Sequence, residues 1–389
     1  MLELGSRWKK IFFAIFVLQI PLTLFLFMQT NVLQRKVKSL KPPLKRLEQI
    51  SSHAEESLNS YLTHQILPHS IKNLPRAEEF GIVLSVCPVD IPFIDAPYNA
   101  SLIEEDDHYL LFFRHDTRIN DRNRVPFHTH IGCIELDRFF HPTMPRSIDI
   151  DTGSLYSEDA RVFKSKGEYY LIYNDLVPGD RKYRSLRIAK LDTQRKKVQY
   201  ITSLDRRMNK IEKNWMPFEY GDQGIHLIYS ILPHQVLHLP QPAEGTVSLA
   251  TQPDLESSLS QHLWASIWGT LRGGTPPRLV DGEYLSFFHS GFKDDRGIVW
   301  YVMGAYTFEA KAPFKITSIS PHPILFKGAY ETPLLNTANP KVRCLYPVSF
   351  VPEIRDGKEV LQLSCGENDS GVKILTLDKE ALLKSLKRI

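Results

Sequence analysis

The chain has little of what marks several large functional classes. Its 389 residues include only four cysteines, Cys87, Cys133, Cys344 and Cys365. None stands in a C-x-x-C pair or at zinc-ligand spacing, so a zinc site has no basis in the sequence. They read as small buried hydrophobes, and a Cys344–Cys365 disulfide between neighbouring strands stays open. Excess positive charge is scarce too. The 48 Lys and Arg against 44 Asp and Glu leave a net charge of +4. The region expected to fold has no long basic run, which argues against a nucleic-acid partner. His128 and His130 share an H-x-H spacing but lack a clear third ligand, so no metal is implied. Glycine, at 20, is outnumbered by 26 prolines, a balance that suits many short strands and turns.

What is present begins with an organised N-terminus. Residues 1–10 form a basic flank with Arg7, Lys9 and Lys10. Residues 11–28 carry no charge and are just long enough for a membrane helix. No small-x-small cleavage site follows them. The expectation is therefore an uncleaved single-pass anchor and a membrane localisation. Lys and Arg on both flanks leave its orientation open and offer contact with membrane lipid. Residues 29–78 read as a stalk. Leu44, Leu47, Ile50, Ala54, Leu58, Tyr61, Leu62 and Ile66 fall at helical spacing, and Pro68 reads as the stop. Such an amphipathic helix packs on the following domain or pairs with a second copy as a homo-oligomer.

From residue 79 to 389 the pattern is β. Five short runs repeat one theme: Tyr109–Phe113, Tyr169–Tyr173, His226–Tyr229, Tyr284–Phe288 and Val360–Ser364, each followed at once by a polar residue or a cysteine. The first four recur about every 60 residues, the signature of stacked sheets around an axis. The fold class expected is all-β, a five-bladed β-propeller preceded by the membrane helix and the helical stalk. The tail Asp378–Leu386 reads as a closing helix.

A second landmark stands about 15 residues before each polar strand end. These are Tyr98-Asn99-Ala100-Ser101, Ser157-Glu158-Asp159-Ala160-Arg161, Lys213-Asn214-Trp215, Arg272-Gly273-Gly274-Thr275 and, more loosely, Cys344-Leu345-Tyr346-Pro347. Each reads as the opening of an inner strand with a polar side chain facing the axis. Stacking them gathers Asn99, Asp159, Asn214, Arg272 and Thr275 around one hole, with Arg114, His289 and Asp369 nearby. Amides, carboxylates, cations and aromatic walls in one pocket suit a sugar, and a carboxylate there can serve acid–base chemistry at a glycosidic bond.

The ordered motifs YNAS, LLFFR, SEDAR with YYLIY, KNWMPF, GGTPP, FFHS and YP…CGEND resemble the family 130 glycoside hydrolases and phosphorylases over about 290 residues. That resemblance implies a five-bladed propeller acting mainly on β-mannosides. It assigns the general acid to Asp159, thought to act through a sugar hydroxyl, and sugar contacts to Asn99, Arg114 and Asp369. Lys213, Arg272 and His289 would bind phosphate or another anion. Glu158, Asn214 and His234, the last at the pocket rim, complete the substrate-binding set. Three features depart from the family pattern: Ala160 replaces proline, Lys213 replaces arginine, and an anchor and stalk come first.

The implied partner is an oligosaccharide or glycoconjugate. No cofactor is implied beyond inorganic phosphate as co-substrate. Hydrolysis, phosphorolysis, mannosyl transfer from an activated donor and non-catalytic glycan binding all remain open. Asp159, followed by Arg161, also reads as a structural carboxylate holding strands together, His289 as a core histidine, Lys213 as a partner of Glu212 or Glu219, and Trp215 as a core wall.

Overall fold

The computed structural model describes residues 67–117, 128–194, 196–205, 209–251, 257–335 and 341–389. These residues are predominantly β. Their strands form antiparallel meanders in chain order. The first is Tyr98–Glu104, Tyr109–Thr117, His128–Leu136 and Ile148–Asp149. The second is Glu158–Ser165, Glu168–Val177, Asp180–Asp192 and Lys197–Asp205, with Gly245–Ser248 added in parallel at its edge. The third is Met216–Glu219, Ile225–Ile231, His234–His238 and Ala250–Thr251. A ten-stranded sheet then holds two more meanders. One is centred on the pair Glu283–Lys293 and Val299–Glu309. The other comprises Val342–Arg355, Lys358–Glu367 and Gly371–Asp378. Three parallel residue pairs, Val299–Val342 to Tyr301–Cys344, join the two.

The five apolar runs of the sequence fall in Tyr109–Thr117, Glu168–Val177, Ile225–Ile231, Glu283–Lys293 and Lys358–Glu367, each flanked by a paired strand on both sides. Alternation explains their composition, because successive side chains of a strand leave opposite faces. Leu110 and Phe112 pack with Val162, Leu171 and Tyr173 of the second meander. Leu111 and Phe113 pack with Val351, Val372 and Ile374 of the last. A strand buried on both faces must be apolar at nearly every position, and these runs are. The core therefore lies between meanders. Phe163, Ile172 and Ile188 meet Trp215, Leu227 and Leu237 in the next gap.

Val83–Pro88, early in the described residues, pairs antiparallel with Gly371–Asp378, the third strand of the last meander. The closing helix spans Lys379–Ser385, capped by the Asp378 carboxylate accepting from the Ala381 N–H at 2.8 Å. Lys387–Arg388 then pairs with Ile316–Ile319. Leu67, Ile71, Ala77 and Ile82 belong to the largest core cluster.

Several expectations change here. Pro68 is the N-cap of a short helix, His69–Lys72, that the sequence reading did not expect. Cys344 and Cys365 are buried free thiols, as is Cys133; Cys87 is half-buried and also free. The stalk helix expected over residues 44–66 lies outside the described residues. The membrane localisation is withdrawn: among the described residues no helix is long and apolar enough to cross a membrane, and residues 11–28 lie outside them.

Two glycines mark where meanders approach most closely. A Cβ on Gly273 would overlap the Asn214 carbonyl oxygen, and one on Gly366 would overlap the Asn99 side chain. Gly273→Ala should lower stability by about 1–3 kcal/mol, the usual range for forced overpacking. Urea denaturation measures it, and an unchanged midpoint would mean that the third and fourth meanders can separate there at little cost.

Candidate functional site

Asn99, Asp159 and Asn214 share an unusual backbone conformation, with φ of 48°, 54° and 65°. Asn and Asp tolerate the left-handed region better than other residues with a Cβ. In the first two meanders this residue sits in a β-bulge, where the strand register shifts between Tyr98 and Ser101 and between Glu158 and Arg161. A bulge re-aims a side chain at the cost of one ladder position. Here it turns two polar side chains toward one cavity of about 640 Å³, and left-handed Asn214 adds a third. Asn368 and Asp369, also at positive φ, lie in the turn between the second and third strands of the last meander, and Asp369 lines the same cavity.

Arg161 forms the floor. It is 2% exposed and donates to the carbonyl oxygens of Asp159 at 3.3 Å, Gly273 at 3.3 Å and Gly274 at 2.5 Å. It also donates to the Tyr346 hydroxyl at 2.7 Å, which donates in turn to Asn214 Oδ1 at 2.6 Å. Asn99 Nδ2 donates to Asp159 Oδ1 at 2.8 Å. Five meanders are joined through this chain of contacts. Arg161 is thus a structural residue, and the Asp159 carboxylate shares in the link through Asn99.

The walls carry charge in a definite pattern. Arg114 faces Asp116 at 3.2 Å, Glu158 at 3.3 Å and Asp159 at 3.4 Å, and its guanidinium lies 4.9 Å from the centre of the Tyr98 ring. Arg184 holds Glu158 at 2.6 Å and Asn174 Oδ1 at 2.7 Å. Lys213 and Arg272 line the cavity with no hydrogen bond or ion pair among the described residues. Glu212 and Glu219 are engaged elsewhere, with the Asn209 N–H and with Ser165 and the Lys166 N–H.

Identical carboxyl groups are driven apart by these surroundings. Burial works to raise Asp159, but the Arg114 charge, the Asn99 hydrogen bond, Lys213 and Arg161 outweigh it and hold the carboxyl below its ordinary value. Burial raises Asp369 to about 6; Arg114 opposes the rise, and Asp159 and Asp116 add to it. Glu158 is also raised, chiefly by burial. His289 is pushed well below the usual range by burial and then by Arg161, Arg272 and Lys213. It is thus a neutral ring near neutral pH, its centre 4.5 Å from that of Tyr346 with the two rings tilted at 53°, and its buried Nδ1 has no partner among the described residues.

Nine of the ten residues expected in the site line this cavity: Asn99, Arg114, Glu158, Asp159, Lys213, Asn214, Arg272, His289 and Asp369. His234 does not. It is 2% exposed, packs on Phe308, and its ring Nδ1 lies 2.9 Å from the Phe314 carbonyl oxygen, so it is a core residue of the third meander. Thr275 is fully buried and accepts from the Phe287 N–H, a structural role. Trp215 is a core wall against Tyr229. Among the described residues no group of three or more His, Cys, Asp or Glu side chains is placed to hold a metal.

The sequence reading missed Tyr98, Asp116, Tyr156, Arg184 and Tyr301, which also line the cavity. Two of these carried a signal. Tyr98 directly precedes a left-handed residue, and Asp116 is two positions past Arg114, on the same strand face. Arg184 had none, because it comes from the third strand of its meander and the repeat was read from the first two.

No protein-family model and no curated protein matches the sequence. Solved structures do match, at low identity. A β-1,2-mannobiose phosphorylase from Listeria innocua superposes with a TM-score of 0.51 at 14% identity, covering 79% of this chain and 97% of that one. A glycoside hydrolase from the GH130 family of mannoside phosphorylases, which targets β-1,2-mannosidic linkages in Candida mannan, gives 0.53 at 11% identity, covering 79% and 97%. A GDP-Man-dependent mannosyltransferase from Leishmania mexicana gives 0.52 at 12%, covering 77% and 91%. The fold is the propeller fold of the GH130 mannoside phosphorylases and hydrolases.

Asp369 yields a stability prediction. Its folded pKa lies above its unfolded value, so between about 4 and 6 the folded state holds more protons and stability falls as pH rises. The burial penalty is then fully present above pH 6. Asp369→Asn removes it and should stabilise the protein at pH 8 by on the order of 1–3 kcal/mol, the gain vanishing near pH 4. Melting curves of both proteins from pH 4 to 8 measure this, and a pH-independent difference would mean that Asp369 ionises as a solvated carboxyl.

Proposed function

We propose that this chain is a sugar-transferring enzyme of mannose-type glycosides that uses inorganic phosphate as the attacking group. Its fold is read as a five-bladed propeller, the two meanders of the ten-stranded sheet counting as separate blades. One observation carries the phosphate assignment. Of the cations in the cavity, Arg114 and Arg184 are neutralised by carboxylates, whereas Lys213 and Arg272 have no such partner among the described residues. Unpaired cations beside the unpartnered Nδ1 of a neutral histidine suit an oxyanion. Asn99 Oδ1, likewise buried without a partner among the described residues, suits a sugar hydroxyl.

The step balances simply. A phosphate oxygen forms a bond to the anomeric carbon as the glycosidic C–O bond breaks, and the departing oxygen takes a proton. Asp159 is assigned the proton, delivered through a sugar hydroxyl. Its depressed pKa argues against that role in the empty pocket, but phosphate changes the balance. An anion against Lys213 cancels one of the charges that hold Asp159 down and adds like charge of its own. Phosphate binding and Asp159 protonation are then linked, each favouring the other. Transfer from a nucleotide-linked sugar is the second reading, supported by the mannosyltransferase that shares the fold, since the same two cations suit a diphosphate.

Mannobioses supplied with and without phosphate, and GDP-mannose supplied with mannose, test these readings. Phosphate-dependent release of mannose 1-phosphate is expected. Lys213→Ala should raise the phosphate KM tenfold or more while changing the sugar KM little; equal turnover without phosphate would move the assignment to hydrolysis. Asp159→Asn should cut turnover about a hundredfold or more. Full activity in that variant would shift the acid to Asp369, and binding without turnover of any donor would leave a glycan-binding protein.

A further inference from the structure

The inner strands have two ends, and both meet cavities. Along Glu158–Ser165 the first two residues line the cavity described above, while Lys164 lines another. Asn214 and Glu219 are divided in the same way across the third meander, as are Tyr346 and Pro352 in the last. The second cavity measures about 720 Å³, within the range of small-molecule sites.

Arg278 is its unusual member. The side chain is partly buried and has no hydrogen bond or ion pair among the described residues. Burial disfavours its charge, with Glu104 and Tyr169 only partly offsetting this. An unpaired guanidinium drawn away from water is costly, and an anion beside it recovers that cost. The neighbours set the anion's charge. Lys164, Lys166 and Arg278 face Glu219 and Asp222, three cations against two carboxylates, so the excess is a single positive charge. Lys164 leans on the Tyr169 ring at 4.9 Å, and Glu219 is held by the Ser165 hydroxyl and the Lys166 N–H. Arg278 is left as the group best placed to accept a ligand. Its planar fork matches a carboxylate through two parallel hydrogen bonds. Around it stand four prolines and Leu279, which is 60% exposed, an apolar surface that a bare ion would leave uncovered.

We propose that this second cavity binds an organic monocarboxylate with an apolar body, its carboxylate on Arg278 and its body against the proline wall. The site is separate from the sugar pocket and does not depend on the activity assigned there.

Titration of the full-length protein with benzoate, followed by calorimetry or ligand-observed NMR, tests this, with benzamide as the neutral match and inorganic phosphate as the small anion. Saturable benzoate binding is expected, at least tenfold tighter than benzamide. Arg278→Gln should weaken it tenfold or more, and Lys213→Ala, in the other cavity, should leave it unchanged. Leu279→Glu places a carboxylate at the exposed edge and should weaken benzoate at least fivefold, which keeps the test sharp if Arg278→Gln fails to fold. Benzoate binding that is absent, is lost in Lys213→Ala or survives both second-cavity substitutions would overturn the proposal. Phosphate competing equally for Arg278 would overturn the ligand class.

Discussion

The buried Arg161 guanidinium is the contact on which the rest of the site depends. Strand ladders hold each meander together, and apolar contacts hold neighbours together, but neither fixes how strands from opposite sides of the ring stand to one another. Arg161 does so by spanning from the second meander to the fourth and the fifth. Tyr346 extends the link to the third, and Asn99 with Asp159 brings in the first. Three of the four acceptors of Arg161 are backbone carbonyl oxygens, two belonging to glycines that a Cβ would push away. A charge this deep is tolerable only because each acceptor faces it directly. The pocket above inherits its geometry from that floor.

The same crowding sorts the carboxylates. Asp159 and Asp369 line one cavity and both are drawn away from water, yet their proton affinities move in opposite directions. Proximity to guanidinium and amide groups decides the first, and burial decides the second. Pairs of titratable groups pushed apart in this way supply acid and base assignments in enzymes generally. Here cationic and amide neighbours hold Asp159 ionised, whereas Asp369 takes up a proton as the pH falls to about 6.

Much of the fold was legible because strands buried on both faces must be apolar at nearly every position. Runs such as Tyr109–Phe113 then stand out without any alternation. The site was legible for a related reason. Asn99, Asp159 and Asn214 occupy matching places in successive repeats, and Asn and Asp are the residues that accept the left-handed turn found there. His234 failed because a histidine just past a strand looks the same from sequence whether it points to a rim or into the core. Its ring meets the Phe314 carbonyl oxygen, 80 residues away in the chain, a contact no local pattern encodes. Arg184 failed because third strands carry no shared landmark. The merged ten-stranded sheet was invisible for a third reason. It rests on three parallel pairs between strands separated by a long insertion.

Likeness of fold leaves the reaction open, and the charges explain why. A phosphorylase, a hydrolase and a nucleotide-sugar transferase all superpose on this chain at 11–14% identity. The three differ in the partner that exchanges with the sugar: phosphate, water or a GDP-linked donor. On the proposed reading the inner-strand starts that line the cavity position the sugar. Discrimination must therefore lie in what faces the sugar from the side. Water needs a base; an oxyanion needs cations free to receive it. In this chain Asp159 is engaged by Arg114 and Asn99, which weakens it as a base, and one carboxylate oxygen of Glu158 is taken by Arg114 and Arg184. Lys213 and Arg272 are the uncommitted charges among the described residues of the cavity. On the proposed reading that arrangement favours the phosphorus-bearing partners over water.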